Sequence, residues 1–177
     1  MNKALAAGKY FIECHDKDGN LKWSGESENL VVNAGLQYMA GVALVSTTQI
    51  TQWYVGLYGA AASNTPAASD TMATGGHPGW TEITPYSDST RILANFAAAT
   101  NADPSVVTNT ASKAVFNINA SATVGGAFLV GGTGSSTKGG STGTLFSASD
   151  FQAPGDRTVV SGDVLSVTYQ FSLDGTP

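Results

Sequence analysis

The sequence predicts an all-β protein, a β-sandwich of jelly-roll-like form with one short helix near residues 34–45. Apolar and polar residues alternate with period two in several short segments, and glycine-rich turns separate those segments. Only one segment has helical spacing. A chain of 177 residues is long enough to bury one core without disulfides or metals. We therefore expect a single domain over residues 1–177 with about eight or nine strands and a flexible N-terminal arm at 1–8.

The two ends of the chain contain the clearest strand patterns. Near the start, Tyr10, Ile12 and Cys14 alternate with their neighbours, and the turn DKDGN at 16–20 precedes a second alternating run, which predicts a hairpin. Near the end, residues 165–173 place apolar side chains on one face and Ser, Thr and Gln on the other. Further strands are expected in three internal segments: WYVGLYG at 53–59, AVFNINA at 114–120 and SATVGGAFLV at 121–130.

The one helical segment follows Asn33, which is expected to cap it through its side-chain oxygen. Apolar residues then recur three and four positions apart, at Leu36, Met39, Ala40, Ala43 and Leu44. Gly35 and Gly41 weaken such a helix by roughly 1 kcal/mol each relative to Ala. The pattern predicts a short helix that packs over the sheet.

The glycine-rich segment at 131–143 contains one lysine, Lys138, and raises the question of a phosphate-binding loop. Such a loop requires glycine before the lysine and Ser or Thr after it. Here Thr137 precedes the lysine and Gly139 follows it, and the next residues read as a strand rather than a helix. We therefore interpret the segment as the flexible tip of a β-hairpin. The long connection at 60–80 is expected to be a functional or partner-ordered loop.

The positions of the relevant residues also argue against a calcium loop, a nucleophile–base pair and a histidine metal site. In 16–20 the glycine stands fourth rather than sixth, so a hairpin turn is favoured over a calcium loop. Cys14 and His15 are adjacent on a strand and point to opposite faces, so they cannot easily form a nucleophile–base pair, and Cys14 is expected in the core. His77 is the one other histidine, and a loop histidine more often caps or stacks than binds a metal.

The carboxylates and aromatic residues also lack a catalytic pattern. Most Asp residues occupy turn-like positions, and a buried Glu82–Arg91 pair would have a structural role. In the segment at 53–59 we expect Trp53 in the core and an exposed pair formed by Tyr54 and Tyr58, which suits an interface better than a sugar platform. No catalytic, cofactor-binding or metal-binding residue is therefore assigned, and the protein is not expected to be an enzyme.

Charge and composition limit the classes of partner that the protein is expected to bind. The net charge is −5 with eight scattered basic residues, which makes nucleic acid an unlikely partner. No apolar run approaches the length of a membrane span, and the apolar stretch in MNKALAAGKY is too short for a signal peptide. The single Cys14 is compatible with synthesis in a reducing cytoplasm. Charged residues make up only 12%, about half the usual fraction, which favours a surface covered by other subunits.

The order of the segments resembles a family of small structural proteins of tailed bacteriophages, found among head and decoration (cement) components. The resemblance runs through NLVVNAGLQYMAGVAL, WYVGLYG, GHPGWTEITPYSDSTR, AVFNINASATVGGAFLV and VVSGDVLSVTYQFSL, from about Leu30 to Leu173. These motifs are structural rather than chemical, so no catalytic residue is implied.

The resemblance implies a capsid decoration subunit on the exterior of the virion, assembled in the host cytoplasm, that binds across neighbouring major capsid proteins and copies of itself. Residues 1–8, 60–79 and 131–143 are the expected contact segments. The alternative is a receptor- or glycan-binding module of a phage tail or head fibre.

Overall fold

The structure is a computed structural model that describes residues 4–60, 65–151 and 155–175. The described chain contains thirteen strands, one α-helix and one 3-10 helix. In chain order they are β1 (Leu5–His15), β2 (Leu21–Glu28), β3 (Leu30–Val31), α1 (Asn33–Leu44), β4 (Trp53–Ala60), β5 (Trp80–Glu82), β6 (Ile92–Leu93), β7 (Ser105–Thr108), the 3-10 helix (Thr110–Ser112), β8 (Ala114–Asn117), β9 (Ala122–Val124), β10 (Gly126–Gly131), β11 (Thr144–Asp150), β12 (Arg157–Val159) and β13 (Val164–Asp174).

Sheet A joins the two ends of the described chain. Its order is β2-β1-β13, and the far edge of β13 is shared by β7 and β8. Strands β1 and β13 are antiparallel along their whole length, from Leu5 opposite Asp174 to His15 opposite Val164. The predicted β1–β2 hairpin and the predicted final strand are both confirmed. The expected arm at 1–8 is wrong for residues 5–8, which are paired in β1, and residues 1–3 lie outside the described residues.

Sheet B has the order β3-β11-β10-β4-β5, with β6 also paired to β4. Every residue of β10 is buried, because both faces of this sheet are covered. Between β10 and β11 the register shifts, so that Phe146 has no direct partner opposite it. Such a bulge redirects a side chain, and here Phe146 points towards α1 and the open end of the core. A small third sheet pairs β9 with β12.

The main core lies between the two sheets, which confirms an all-β sandwich with one helix. Sheet A contributes Tyr10, Ile12 and Cys14 of β1 and Leu165, Val167 and Tyr169 of β13, all at most 1% exposed. Sheet B contributes inward residues such as Val55 and Leu129. In sheet A the period-two pattern therefore marks the buried face of β1 and of β13 as far as Tyr169. The jelly-roll form of the sandwich stays a prediction.

The helix α1 occupies Asn33–Leu44, close to the predicted range. The predicted cap is wrong: the helix is preceded by Val32 at the cap position, and no side chain caps it. Tertiary contact fixes the start instead, because the Asn33 amide donates to the Ala68 carbonyl, 2.8 Å away. Gly35 is the one buried residue of α1, and a Cβ there would collide with the Phe146 carbonyl oxygen. The glycine therefore allows the helix to approach β11 closely.

A second apolar cluster covers the outer face of sheet B. Tyr58, Phe128 and Val130 from the sheet share this cluster with Trp80, the first residue of β5, and with Met72 of the connection before it. The expected exposed tyrosine pair is therefore wrong, because Tyr58 is fully buried. Its burial in this cluster raises the Tyr58 pKa far above the usual value. Sheet B thus forms the middle of three layers.

Candidate protein-binding surfaces

The outermost layer consists of two connections, residues 65–80 and residues 132–143, which we call the loop layer. Met72 places the first connection in the second apolar cluster on the outer face of sheet B. The buried Arg91, whose guanidinium lies over the Phe128 ring of that face, hydrogen-bonds the second connection. Their only charged residues are Asp70 and Lys138. How these two charges are used decides what the layer can bind.

Lys138 binds protein carbonyl groups rather than facing an empty anion site. Its ammonium group donates to the carbonyl oxygen of Tyr86 at 2.9 Å and to that of Asp88. The same Nζ lies 4.1 Å from the centroid of the Tyr86 ring. The segment connects β10 to β11, so the hairpin interpretation is confirmed and the phosphate-loop reading is rejected. The connection is nevertheless anchored to the segment at 86–88 rather than free.

Arg91 anchors the same connection from beneath. Its side chain is fully buried, and it forms a two-pronged pair with Glu82, with N–O distances of 2.9 and 2.6 Å. The remaining donors reach the carbonyl oxygens of Ser135 at 2.9 Å and Gly140 at 2.6 Å. The guanidinium carbon also lies 5.2 Å from the centroid of the Phe128 ring. The predicted structural Glu82–Arg91 pair is confirmed, and it ties β5 to the hairpin connection.

Asp70 performs the equivalent task in the other connection. Its Oδ2 accepts hydrogen bonds from the Ala67 amide and from the Trp80 indole nitrogen, both at 3.0 Å. His77 stacks on Trp80 with 3.8 Å between ring centroids, and its Nδ1 lies 3.0 Å from the Trp80 carbonyl oxygen. The interpretation of His77 as a stacking residue is confirmed. Of the expected contact range 60–79, residues 61–64 lie outside the described residues.

The outward surface of the loop layer is therefore polar but uncharged. Both of its charges are used internally, and its exposed residues are all Thr, Ser, Ala, Gly or Pro. Two hydrogen bonds hold it in place, one from the Trp80 indole to Asp70 and one from Arg91 to the Ser135 carbonyl oxygen. A surface of this kind is ordered before a partner arrives, which reduces the entropic cost of binding.

The segment at 14–16 contains no catalytic arrangement. Cys14 is buried in the main core, and burial, followed by the nearby Asp163 charge, raises its pKa to about 11. Asp16 closes the β1–β2 turn, where its Oδ1 accepts from the amides of Asp18 and Asn20, both at 2.9 Å. These bonds, above all those from Asn20, hold the Asp16 pKa below its usual value. The predicted hairpin turn is confirmed.

A second surface, which the sequence interpretation missed, surrounds α1. No Asp, Glu, Lys or Arg lies between Glu28 and Asp70. A helix that packs over a sheet usually carries charges on its solvent face. The lack of charged residues in α1 was therefore the sequence signal for this second surface. The end of the helix leaves Leu44 and Val45 85% and 73% exposed.

On the other face of the helix, an apolar groove of about 360 Å³ lies at the open end of the sandwich. We call it the α1 groove. Its walls include Met39 and Val42 of the helix, Ile50 of the following loop and Leu173 at the end of β13. Edge-to-face aromatic contacts form its floor, with centroid distances of 5.3–5.4 Å along Tyr38, Trp53, Phe146 and Phe171. No charged residue lines it among the described residues.

The described residues provide neither a metal-ion cluster nor a membrane-spanning helix. In the part of the chain that the structure describes, no three His, Cys, Asp or Glu residues lie close enough to hold a metal ion. Among those same residues, no helix is both long enough and apolar enough to cross a bilayer. Comparison with family models, with curated proteins and with solved structures gives no match to this chain. The residues and their contacts are therefore the basis for assigning a function.

Proposed function

We propose that this protein is a virion structural protein, a capsid decoration (cement) subunit that binds across neighbouring major capsid proteins through its loop layer. It acts on the exterior of the capsid by burying surface, without catalysis. The observation that carries the proposal is that the loop layer is uncharged on its outside and anchored on its inside by Asp70, Arg91 and Lys138. The resemblance to phage head and decoration proteins points in the same direction.

Two physical features of the loop layer suit it to this role. An ordered surface loses little conformational freedom on binding, so more of the burial energy appears as affinity. Uncharged Thr, Ser, Ala and Gly side chains lose little hydration energy when they are covered, whereas charged groups must be paired. Many copies acting on one shell then stabilise it together, because each bound copy favours the assembled state.

The proposal is tested by mixing the purified protein with undecorated shells of the source phage and measuring bound copies by sedimentation. Saturable binding at a fixed copy number per shell is expected. Ala73→Glu and Thr137→Glu each place a charge on the exposed loop layer and should weaken binding by about tenfold or more. Ala111→Glu, an equally exposed site on the 3-10 helix beside sheet A, is the matched control and should bind normally.

A lack of saturable shell binding would overturn the proposal, as would equal loss of binding in the control. The same preparation is mixed with host-surface polysaccharide in parallel. Binding to polysaccharide alone would favour the alternative of a receptor- or glycan-binding module.

A further inference from the structure

Strand β2 forms an open edge of sheet A. Among the described residues it pairs only with β1, so the other side of its backbone has no partner strand. The Asn29 amide, just past β2, donates to the Gly8 carbonyl oxygen at 2.9 Å, and this bond fixes which residues turn their backbone groups towards β1. Inward and outward groups alternate along an antiparallel strand. The N–H and C=O groups of Ser24 and Glu26 therefore point away from the sheet, and both residues are exposed.

An open edge of this length can serve as a template for another strand. Strand β2 has eight residues, whereas strands have about five or six on average. Unpaired backbone groups along such an edge can pair with the same edge of a second copy, which is a route to aggregation. The side chains along the edge decide whether this pairing occurs.

Two carboxylates lie along the edge on the outer face of sheet A. The side chains of Glu26 and Glu28 are 60% and 70% exposed, and both contact the one ammonium group of Lys9, at 3.4 and 3.0 Å. We call these three residues the β2 edge triad. Two negative charges and one positive charge give the triad a net negative charge.

The one cation within β2 is already used, and it lies in a break of the ladder. The Lys22 ammonium group binds the Asp163 carboxylate at 2.5 Å, and the Asp163 side chain is only 3% exposed. Leu21 lies opposite His15 and Trp23 lies opposite Cys14, so Lys22 is an extra residue in a β-bulge. A bulge twists the strand and interrupts its pairing edge.

Antiparallel pairing of two such edges would meet an obstacle in every register that uses these outward groups. If Ser24 of each copy pairs with Glu26 of the other, the two Glu26 side chains become diagonal neighbours, about 7–8 Å apart. If the strands slide so that Glu26 meets Glu26, like charges lie directly opposite each other, which is destabilising. If Ser24 meets Ser24, each Glu26 faces the bulge at Lys22, where the ladder is interrupted.

We propose that the β2 edge triad and the bulge at Lys22 together guard the open edge of sheet A, so that the sheet of one chain does not join the sheet of another. The two devices divide the edge between them: the bulge blocks its first residues and the carboxylates oppose pairing along the rest. Because this inference concerns contacts between free chains, it does not depend on shell binding.

The test removes the two charges while keeping the shape of the side chains. Glu26→Gln/Glu28→Gln takes away two of the carboxylates of the full chain and should tighten its self-association by about tenfold or more, measured by sedimentation over a range of concentrations. The matched control, Glu13→Gln/Asp88→Asn, removes two solvent-accessible carboxylates outside β2 and should associate no more than the wild type. The lost ion pairs are exposed, so folding should be unaffected, which far-ultraviolet circular dichroism would check.

Amide hydrogen exchange locates the association on β2. The amides of Trp23 and Gly25 face β1 and should exchange slowly in every sample, whereas those at positions 24 and 26 should exchange fast in the wild type. In the concentrated Gln variant, exchange at positions 24 and 26 should slow as the second copy pairs with them.

Three results would overturn the proposal. One is a Gln variant that associates no more than the wild type or the control. Another is an increase in its mass while positions 24 and 26 still exchange fast, since the chains would then meet through another surface. The third is slow exchange at these positions in the concentrated wild type, since its edge would then already be paired. Shell binding is measured separately with Ala73→Glu, so the two proposals fail independently.

Discussion

Arg91 joins the hairpin connection to the sheet beneath it, so replacing it tests how the loop layer is fixed. Arg91→Met keeps much of the side-chain length and removes all five N–H donors. The Glu82 carboxylate, whose side chain is 7% exposed, would remain buried without its cation. The carbonyl oxygens of Ser135 and Gly140 would lose their donors as well.

The magnitude follows from this inventory of lost bonds. Removing one partner of a buried ion pair costs about 3–5 kcal/mol, because the other charge stays buried and unpaired. The two carbonyl groups lie in a surface connection and can turn to water, so we assign them little further cost. A domain has about 5–15 kcal/mol of stability in total, and Arg91→Met should therefore remove at least about a fifth of it. The double variant Arg91→Met/Glu82→Leu removes the orphaned charge and should recover much of the loss.

Urea denaturation of the wild type, the single variants and the double variant gives these free energies of unfolding. Lys9→Met is the control, since its pair with Glu28 is exposed to solvent and should contribute little to stability. Limited proteolysis within 132–143 should also become faster in Arg91→Met. A loss below about 1 kcal/mol in Arg91→Met, or a double variant no more stable than Arg91→Met, would refute the reasoning.

Two further predictions concern glycine packing and thiol reactivity. Gly35→Ala should destabilise the fold by about 1–3 kcal/mol in thermal denaturation, although Ala is the better helix former, because its Cβ meets the backbone of Phe146. Gly41→Ala is the control and should lose less stability, since its Cβ meets the side chain of the exposed Thr47 rather than the backbone of a buried strand; equal losses in both would contradict the packing explanation. Cys14 has its pKa raised to about 11, so it stays a thiol at pH 8 and should react with iodoacetamide only after unfolding. Rapid labelling of the folded protein at pH 8 would contradict its burial.

The period-two pattern was a sufficient guide wherever only one face of a strand is buried. In β1 the alternate residues predicted for the core are buried, and in β13 they are buried as far as Tyr169, whereas Phe171 is half-buried and Leu173 is exposed at the end of the strand. The β1–β2 turn was equally readable, since Asp16 and the glycine that follows make only local contacts. These elements are specified by neighbours in the sequence.

The pattern failed where a third layer covers a strand. Tyr58 alternates with the inward residues of β4. The prediction assumed that only one face of β4 is buried and therefore placed Tyr58 in solvent, whereas Trp80 and Met72 cover it. The continuous apolar run in β10 was a signal that both faces of this sheet are buried. The source of the covering residues, a connection poor in apolar side chains, could not be inferred from local pattern.

The binding surfaces also depend on contacts between distant residues. Nothing near Lys138 in the sequence shows that its ammonium group would reach Tyr86, and the start of α1 is fixed by Ala68 rather than by a local cap. The exposed end of α1 was indicated by the lack of charge around it. Spacing alone could not show that side chains from α1, β4, β11 and β13 would meet in one groove.

The pairing of β1 with β13 has a consequence for synthesis of the protein. Strand β13 stands between β1 on one side and β7 and β8 on the other, so sheet A lacks its middle until β13 has been synthesised. Until then the nascent chain exposes unpaired strand edges and the apolar face of β1, which are the features that promote aggregation. Chains truncated before Val164 should consequently be insoluble rather than partly native.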